Sequence, residues 1–432
     1  MIADRIEENG VVGAGGGGFP TAVKLQARAG TLIVNAAECE PLLHKDKELV
    51  AHQAGPLLEG VRVAMERLGA RAGVVGIKDK YTDVIAALEP RLPQGVRVHP
   101  LPDSYPAGDE FLLVHSVTGQ VIPPGGLPRD VGVTVLNVET LVNVGLDRPV
   151  THKYLTVAGA VADPVTLRVP IGTPVREVIE AAGGASVPEF AVLLGGVMMA
   201  RLAGDLEEPV TKTTGGVVVL PSGHPLLRRH GATWPAVARV GRSACDQCRF
   251  CTELCPRYLL GHPIEPHRAM QSLGFTRPGD PLVAGTLYCC ECNLCSLYAC
   301  PEDLDPKRVC VEAKAAARER GLVFAGSAQD VRPHPLASAR RVPMRRLIAR
   351  LGLDVYRNVG PLSKRALTPR RVSLPLKQHA GAPALAAVKA GERVRAGDLV
   401  AAPVRGALGA RIHASIDGVV REVADGRVWI EA

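Results

Sequence analysis

The sequence predicts a multidomain α/β protein. Three observations predict it. Strand-like and helix-like runs alternate through residues 1–150, ten cysteines crowd into residues 240–320, and short strands separated by turns fill residues 372–432. The expected order is a Rossmann-like α/β domain at 1–150, a β-grasp-like module at 151–230 and a helical, cysteine-bearing domain at 235–325. A basic, Pro-rich connector at 326–371 and a lipoyl-like barrel-sandwich at 372–432 complete it.

In the first domain, "TLIVNA", "AGVVGIKD" and "GVRVHPLP" read as strands. A helix over 49–70 and another over 82–92 are expected between them, and this rhythm implies a parallel sheet covered on both faces. In the module, "KYLTVAGAV" and "VTLRVPIG" form a hairpin around "ADP", and "EFAVLLGG" and "GGVVVLP" add strands. Its helix is expected to be capped by Thr173, with Pro174 at the first position and Gly183 at the end. The connector, "RPHPLASARRVPMRR", reads as a solvated arm. In the tail, "VKAGERVRAGDLVA" and "IHASIDGVVREV" look like the two halves of a lipoyl- or biotinyl-type sandwich. No lysine follows Lys389, so a cofactor carried on a hairpin lysine is not expected there.

Composition narrows the class. A chain of 432 residues that is 47% hydrophobic can bury several cores, and with 3% aromatics Leu, Val and Ala must do the packing. The net charge of +8 suits acidic cofactors such as nucleotides. Basic residues are not interleaved with aromatics, which disfavours nucleic acid. The start, "MIADRIEENG", lacks the apolar core of a secretory signal. The longest apolar stretch, near 190–200, falls short of the ~20 residues that span a bilayer. A soluble, cytoplasmic chain without a transmembrane segment is expected, in which eleven cysteines point to metal or redox chemistry.

Two cysteine runs carry the strongest signal: Cys245-x2-Cys248-x2-Cys251-x3-Cys255-Pro256 and Cys289-x2-Cys292-x2-Cys295-x4-Cys300-Pro301. The first has the bacterial-ferredoxin spacing, and the second has one extra residue before its last cysteine. Three thiolates two residues apart can hold three irons of a cubane, and in two-cluster ferredoxins the fourth ligand comes from the other run. One [4Fe–4S] cluster is therefore assigned to Cys245, Cys248, Cys251 and Cys300, the other to Cys289, Cys292, Cys295 and Cys255. CxxC pairs also bind zinc, but zinc gives no reason for three evenly spaced cysteines and a Cys-Pro, twice. Cys290 and Cys310 are read as bystanders.

Near the start, "VVGAGGGGFPTAVKL" places Gly13 and Gly15–Gly18 ahead of Lys24. A Gly-rich turn between a strand and a helix can offer backbone N–H groups to a phosphate and let a flat ring approach. No Gly-Lys-Ser/Thr follows, so the run is not a Walker loop. "VNAAECEP", "YPAGDE" and "VLNVETLVNVG" come after it in order. Together these four segments resemble the flavin-binding subunit of respiratory complex I and the RnfC subunit of Rnf-type electron-transport complexes. That resemblance implies an FMN pocket built from Gly13, Gly15, Gly16, Gly18 and Lys24, from Asn35, Glu38 and Glu40, from Tyr105, Gly108, Asp109 and Glu110, and from Asn137, Glu139 and Thr140. Ala37 departs from complex I, which has an aspartate there.

The resemblance covers nearly the whole chain. The module at 151–230 is similar to the soluble-ligand-binding module that follows the flavin domain in these proteins. Two clusters match the RnfC subunit, but there the sandwich precedes the flavin domain, whereas here it is last. The order is similar to that of the cobalamin-reductase family of propanediol-utilisation microcompartments. This implies an NADH-dependent oxidoreductase: NADH as substrate, FMN and two [4Fe–4S] clusters as carriers, cobalamin as acceptor. An adenosyltransferase and microcompartment shell proteins are the implied partners, and the microcompartment is an implied location. No acid–base or nucleophilic set is read in the sequence, so no catalytic side chain is assigned. The competing readings are an Rnf-like electron-input subunit and a non-catalytic carrier or scaffold.

Overall fold

The computed structural model describes residues 2–275, 280–323 and 331–432. The first five residues of the expected connector, 326–330, lie outside the described residues.

The first sheet has four parallel strands, ordered Val96–Leu101, Ala72–Lys78, Thr31–Ala36 and Val133–Asn137. Their near-continuous apolar character follows from cover on both faces. The chain leaves Thr31–Ala36 toward one side and returns on the other to Val133–Asn137. The strand order thus switches between these two strands, where α/β sheets open a crevice beyond their carboxyl ends. Helices Ala54–Leu68 and Val138–Leu146 cross in close contact, and glycine is required at the crossing. A Cβ on Gly60 would lie 1.9 Å from the Leu141 carbonyl oxygen, and one on Gly145 would lie 1.9 Å from that of Pro56.

Three local expectations are corrected here. The helix expected over 49–70 is two helices, Lys45–His52 and Ala54–Leu68, separated at Gln53. The glycine run follows a helix, Ile2–Glu8, not a strand, and leads into a single turn, Thr21–Lys24, too short to offer a helix N-terminal field. In the module, Thr173 donates its hydroxyl to the Pro170 carbonyl at 2.7 Å instead of capping the helix Val175–Ala181.

The module's mixed sheet of five strands centres on Gly216–Pro221, parallel to His152–Gly159 and antiparallel to Phe190–Leu194. Short helices carry the cysteine loops, backed by the longer helix Pro306–Glu319. The connector is not a solvated arm. Val342–Pro343 pairs with Ser104–Tyr105, and the helix Met344–Arg350 buries Met344 and Leu347 against the module and the cysteine loops. The tail forms two facing sheets, of four and three strands. It seats against the glycine run, where the Ala380 N–H donates to the Gly18 carbonyl at 2.9 Å.

Candidate functional site

The glycine run closes on itself. The Gly13 N–H donates to the Phe19 carbonyl at 2.9 Å and the Gly18 N–H to that of Gly13 at 3.0 Å. Gly16 holds φ +110, a value L side chains rarely adopt, and a Cβ there would meet nothing within 4 Å. That open side is where a flat ligand can lie against bare backbone. The loop stands at the switch-point crevice: a Cβ on Gly15 would touch the Asn137 side chain at 3.3 Å, and the Ala14 N–H donates to Thr140 Oγ1 at 2.9 Å. The helix whose N-terminus meets the loop is therefore Val138–Leu146, with Asn137 as its cap, accepting from the Glu139 N–H at 3.0 Å.

Beneath the loop lies a buried polar layer. Lys153, 1% exposed, donates to the Ala14 carbonyl at 2.7 Å and to Glu139 Oε2 at 2.5 Å. Glu139 also accepts the Tyr154 N–H at 2.9 Å. Burial lowers the Lys153 ammonium to about 8, opposed by Glu139. Asn137 Nδ2 donates to Asp46 at 2.9 Å, and Lys45, 2% exposed, pairs with Asp46 and Glu139. Burial, with Asp46 beside it, raises the Glu38 carboxyl to about 7. Asn35 ties the strand end to the next segment, donating to the Gly108 carbonyl at 2.9 Å. Lys24 pairs with Glu110 at 2.9 Å at the rim.

Three residues expected at the flavin are used elsewhere. The Glu40 carboxylate accepts the N–H groups of Val197, Met198 and Met199 at 2.7, 2.7 and 3.0 Å, latching the first domain to a backbone nest in the module. Tyr105 is buried, and its hydroxyl donates to the Cys292 carbonyl at 2.6 Å. Asp109 caps the helix Glu110–Thr118 and pairs with Arg257 at 2.9 Å, and the Arg257 guanidinium lies 3.5 Å from the Phe111 ring centre. The segment 105–110 is thus a bridge from the crevice to the second cysteine run.

The two runs repeat one backbone path. Gln247 and Arg249 have φ of 59 and 68°, and Glu291 and Asn293, at the same offsets, have 60 and 64°. This equivalence aligns Cys289 with Cys245 and leaves Cys290 outside the triplet. The extra residue before Cys300 is absorbed by a π-helical turn, Cys295–Ala299, where the first run has the α-turn Phe250–Glu253. Cys245, Cys248, Cys251 and Cys300 line one small cavity with His267 and Met270. In the other set, burial and the neighbouring Cys289 and Cys255 push the Cys295 thiol well up. Burial also raises Cys251, to about 12, so that thiol stays neutral unless metal supplies charge. Among the described residues no three His, Cys, Asp or Glu side chains close on one point as for a single ion. The thiols of the first set ring a small space instead, as the corners of a cubane require. The Cys290 thiol stands beside Cys292, and the fully buried Cys310 beside Cys289, so both adjoin the second set.

The residues therefore fit both kinds of cofactor: an open glycine loop at a switch-point crevice, and two fourfold sets of thiols reached from it through residues 105–110. Fold and site define a flavin- and iron–sulfur-containing oxidoreductase. Family descriptions match along the chain: the Nuo51 FMN-binding domain at 6–146, the SLBB domain at 154–202, the 4Fe-4S dicluster domain at 244–305 and the RnfC barrel sandwich hybrid domain at 361–430. The chain is 46% identical over 434 residues to the cobalamin reductase PduS of Salmonella typhimurium, across 99% of this chain and 96% of that protein. It is 45% identical, with the same coverage, to its counterpart in Citrobacter freundii. The chain belongs to the PduS family. The C-subunit of the Na(+)-translocating ferredoxin:NAD(+) oxidoreductase complex of Acetobacterium woodii is 34% identical over 60% of this chain and 59% of its own length. A NAD+-reducing [NiFe]-hydrogenase in the H2-reduced state shares the fold, with a TM-score of 0.50 at 20% identity, covering 75% of this chain and 67% of that one.

The buried lysines are not among the residues that motif spacing picks out. Lys153 sits in "HKYLTVAG", where a lone cation interrupts an otherwise buried strand, and that interruption is the signal that could have found it. Lys212, 2% exposed, donates to the Gly10 and Arg411 carbonyls at 2.7 Å each, and burial lowers it to about 7. It stands near His379 and His413, whose imidazoles are lowered first by burial and then by the Lys212 charge.

Proposed function

We propose that the chain is an NADH-dependent corrinoid reductase that takes electrons at the glycine-loop crevice and delivers them from the cysteine domain. The observation that carries this reading is the bridge at 105–110. Its ends touch the crevice, through Asn35 to Gly108, and the second cysteine run, through Tyr105 to Cys292. The relatives named cobalamin reductase supply the acceptor class.

Bound FMN would couple two-electron hydride chemistry to one-electron transfer, and the clusters would carry the single electrons. Gly16 leaves room for the ring system and phosphate, while Gly13, Gly15 and Gly18 let the loop pack closely against Phe19, Asn137 and Thr213. Asn35, Asn137, Glu139 and Thr140 hold the loop and the helix terminus in place, and Lys153 fixes the loop from below. Glu38, raised toward neutrality, can hold or release a proton at its carboxyl near pH 7. Cys245, Cys248, Cys251 and Cys300 would ligate one cluster, and Cys289, Cys292, Cys295 and Cys255 the other. Tyr105, Asp109 and Arg257 keep the second set fixed against the flavin side.

Among the described residues no helix is long and apolar enough to cross a membrane. We place the chain in the cytoplasm, within a microcompartment, with a corrinoid adenosyltransferase and shell proteins as partners. The test is anaerobic turnover of the FMN- and iron-loaded protein. NADH oxidation should require an acceptor, and cobalamin should serve. Turnover with an artificial acceptor but none with cobalamin would reject the corrinoid assignment.

A further inference from the structure

A cavity of about 980 Å³ opens between the module and the cysteine domain, away from the glycine loop. It lies at the upper end of the roughly 300–1,000 Å³ typical of small-molecule sites, so its occupant is large. We propose that this cavity is the corrinoid-binding site, an assignment that rests on the reductase reading above.

Its position suits an exit for electrons. Asn293 and Ser296, which lie directly beside Cys292 and Cys295 in the chain, are on its wall. Arg350, also on the wall, donates to the Cys300 carbonyl at 3.3 Å. Ligands of both cluster sets thus stand one residue or one hydrogen bond from the cavity. Asn293 is 6% exposed, and its Nδ2 donates to the Met198 carbonyl at 3.0 Å, which ties this part of the wall to the module.

Its charge suits a phosphodiester. Six cationic side chains and three carboxylates line it. Asp303 is already held by Arg229 and Arg350 at 3.1 and 2.9 Å. Arg228 and the Lys307 ammonium have no ion pair among the described residues, so both are free for an anion. Leu202 and Val240, 38% and 45% exposed, give apolar surface for a ring face. A macrocycle with an apolar ring face and one nucleotide-loop phosphate, as cobalamin has, matches both features.

The test is equilibrium dialysis of the FMN- and iron-loaded protein against cobalamin and against cobinamide, which lacks the nucleotide-loop phosphate. Arg228→Glu combined with Lys307→Glu should weaken cobalamin about tenfold or more, as loss of a charge-assisted phosphate contact does, and cobinamide less than about threefold. Val240→Trp, which fills the apolar wall, should weaken both by about fivefold or more. Flavin and iron content equal to wild type confirms that each variant is folded. Wild-type affinity for cobalamin in both variants overturns the site, and so does a loss confined to NADH binding. Should the unmodified protein reduce cobalamin while the variants bind it normally, the reductase reading stands and only the cavity is wrong. Should the unmodified protein neither bind nor reduce any corrinoid, the reading itself falls, and the site with it.

Discussion

Gly16→Ala isolates the role of the glycine run. At φ +110 the added methyl meets no atom within 4 Å, so a steric clash inside the protein is not the cost. The cost is conformational. A non-glycine residue held in such a region is strained by about 1–3 kcal/mol, and a loop that relaxes to avoid it no longer presents the same backbone. At about 1.4 kcal/mol per factor of ten, FMN should bind roughly 5- to 150-fold more weakly. Gly17→Ala is the control. Its Cβ also meets open space, but its φ is not in the left-handed range, so only a small change is expected. The assay is flavin-fluorescence titration of the flavin-free, iron-loaded protein, with iron per chain measured alongside. Equal FMN affinity in Gly16→Ala and wild type would refute the assignment of the loop to the flavin.

Three further outcomes follow from the same geometry. Cys300→Ser should reduce iron from about eight to about four per chain, whereas Cys290→Ser should keep about eight; iron analysis and cluster spectroscopy decide. Glu40→Ala removes a carboxylate that accepts three N–H groups and should cost about 3 kcal/mol of thermal stability while changing FMN affinity less than about threefold. Glu38 has a folded pKa of about 7 against an ordinary 4.5, so the fold favours its protonated form. Its contribution is intact below the ordinary value and is lost as pH rises from there through 7, by about 3 kcal/mol at about 1.4 kcal/mol per unit. Thermal flavin release should show that slope, and Glu38→Gln should flatten it.

Much of this architecture was legible because its signals are local. The parallel sheet follows from apolar strands spaced by helical periods, and the dicluster domain at 244–305 from cysteine spacing. The extra residue in the second run was visible in the sequence, but its accommodation by a π-turn was not, since an α-turn and a π-turn carry no distinguishing pattern over so short a stretch. The contacts of Glu40, Tyr105 and Asp109 depend on partners far away in the chain, at 197–199, 292 and 257. Spacing cannot show such pairings. The packed connector escaped for the opposite reason. Its arginines dominate its composition, while the apolar stripe Met344, Leu347 and Ile348 is only one helix long.

The central claim is that one chain conducts electrons from NADH, past the 105–110 bridge, to a corrinoid. Anaerobic mixing of the FMN- and iron-loaded protein with limiting NADH and excess cob(III)alamin, followed by absorbance, tests it most directly. The account predicts that the flavin and cluster bands bleach and recover while cob(II)alamin accumulates in proportion to the NADH consumed. Bleaching without recovery, with the cobalamin spectrum unchanged, would contradict it.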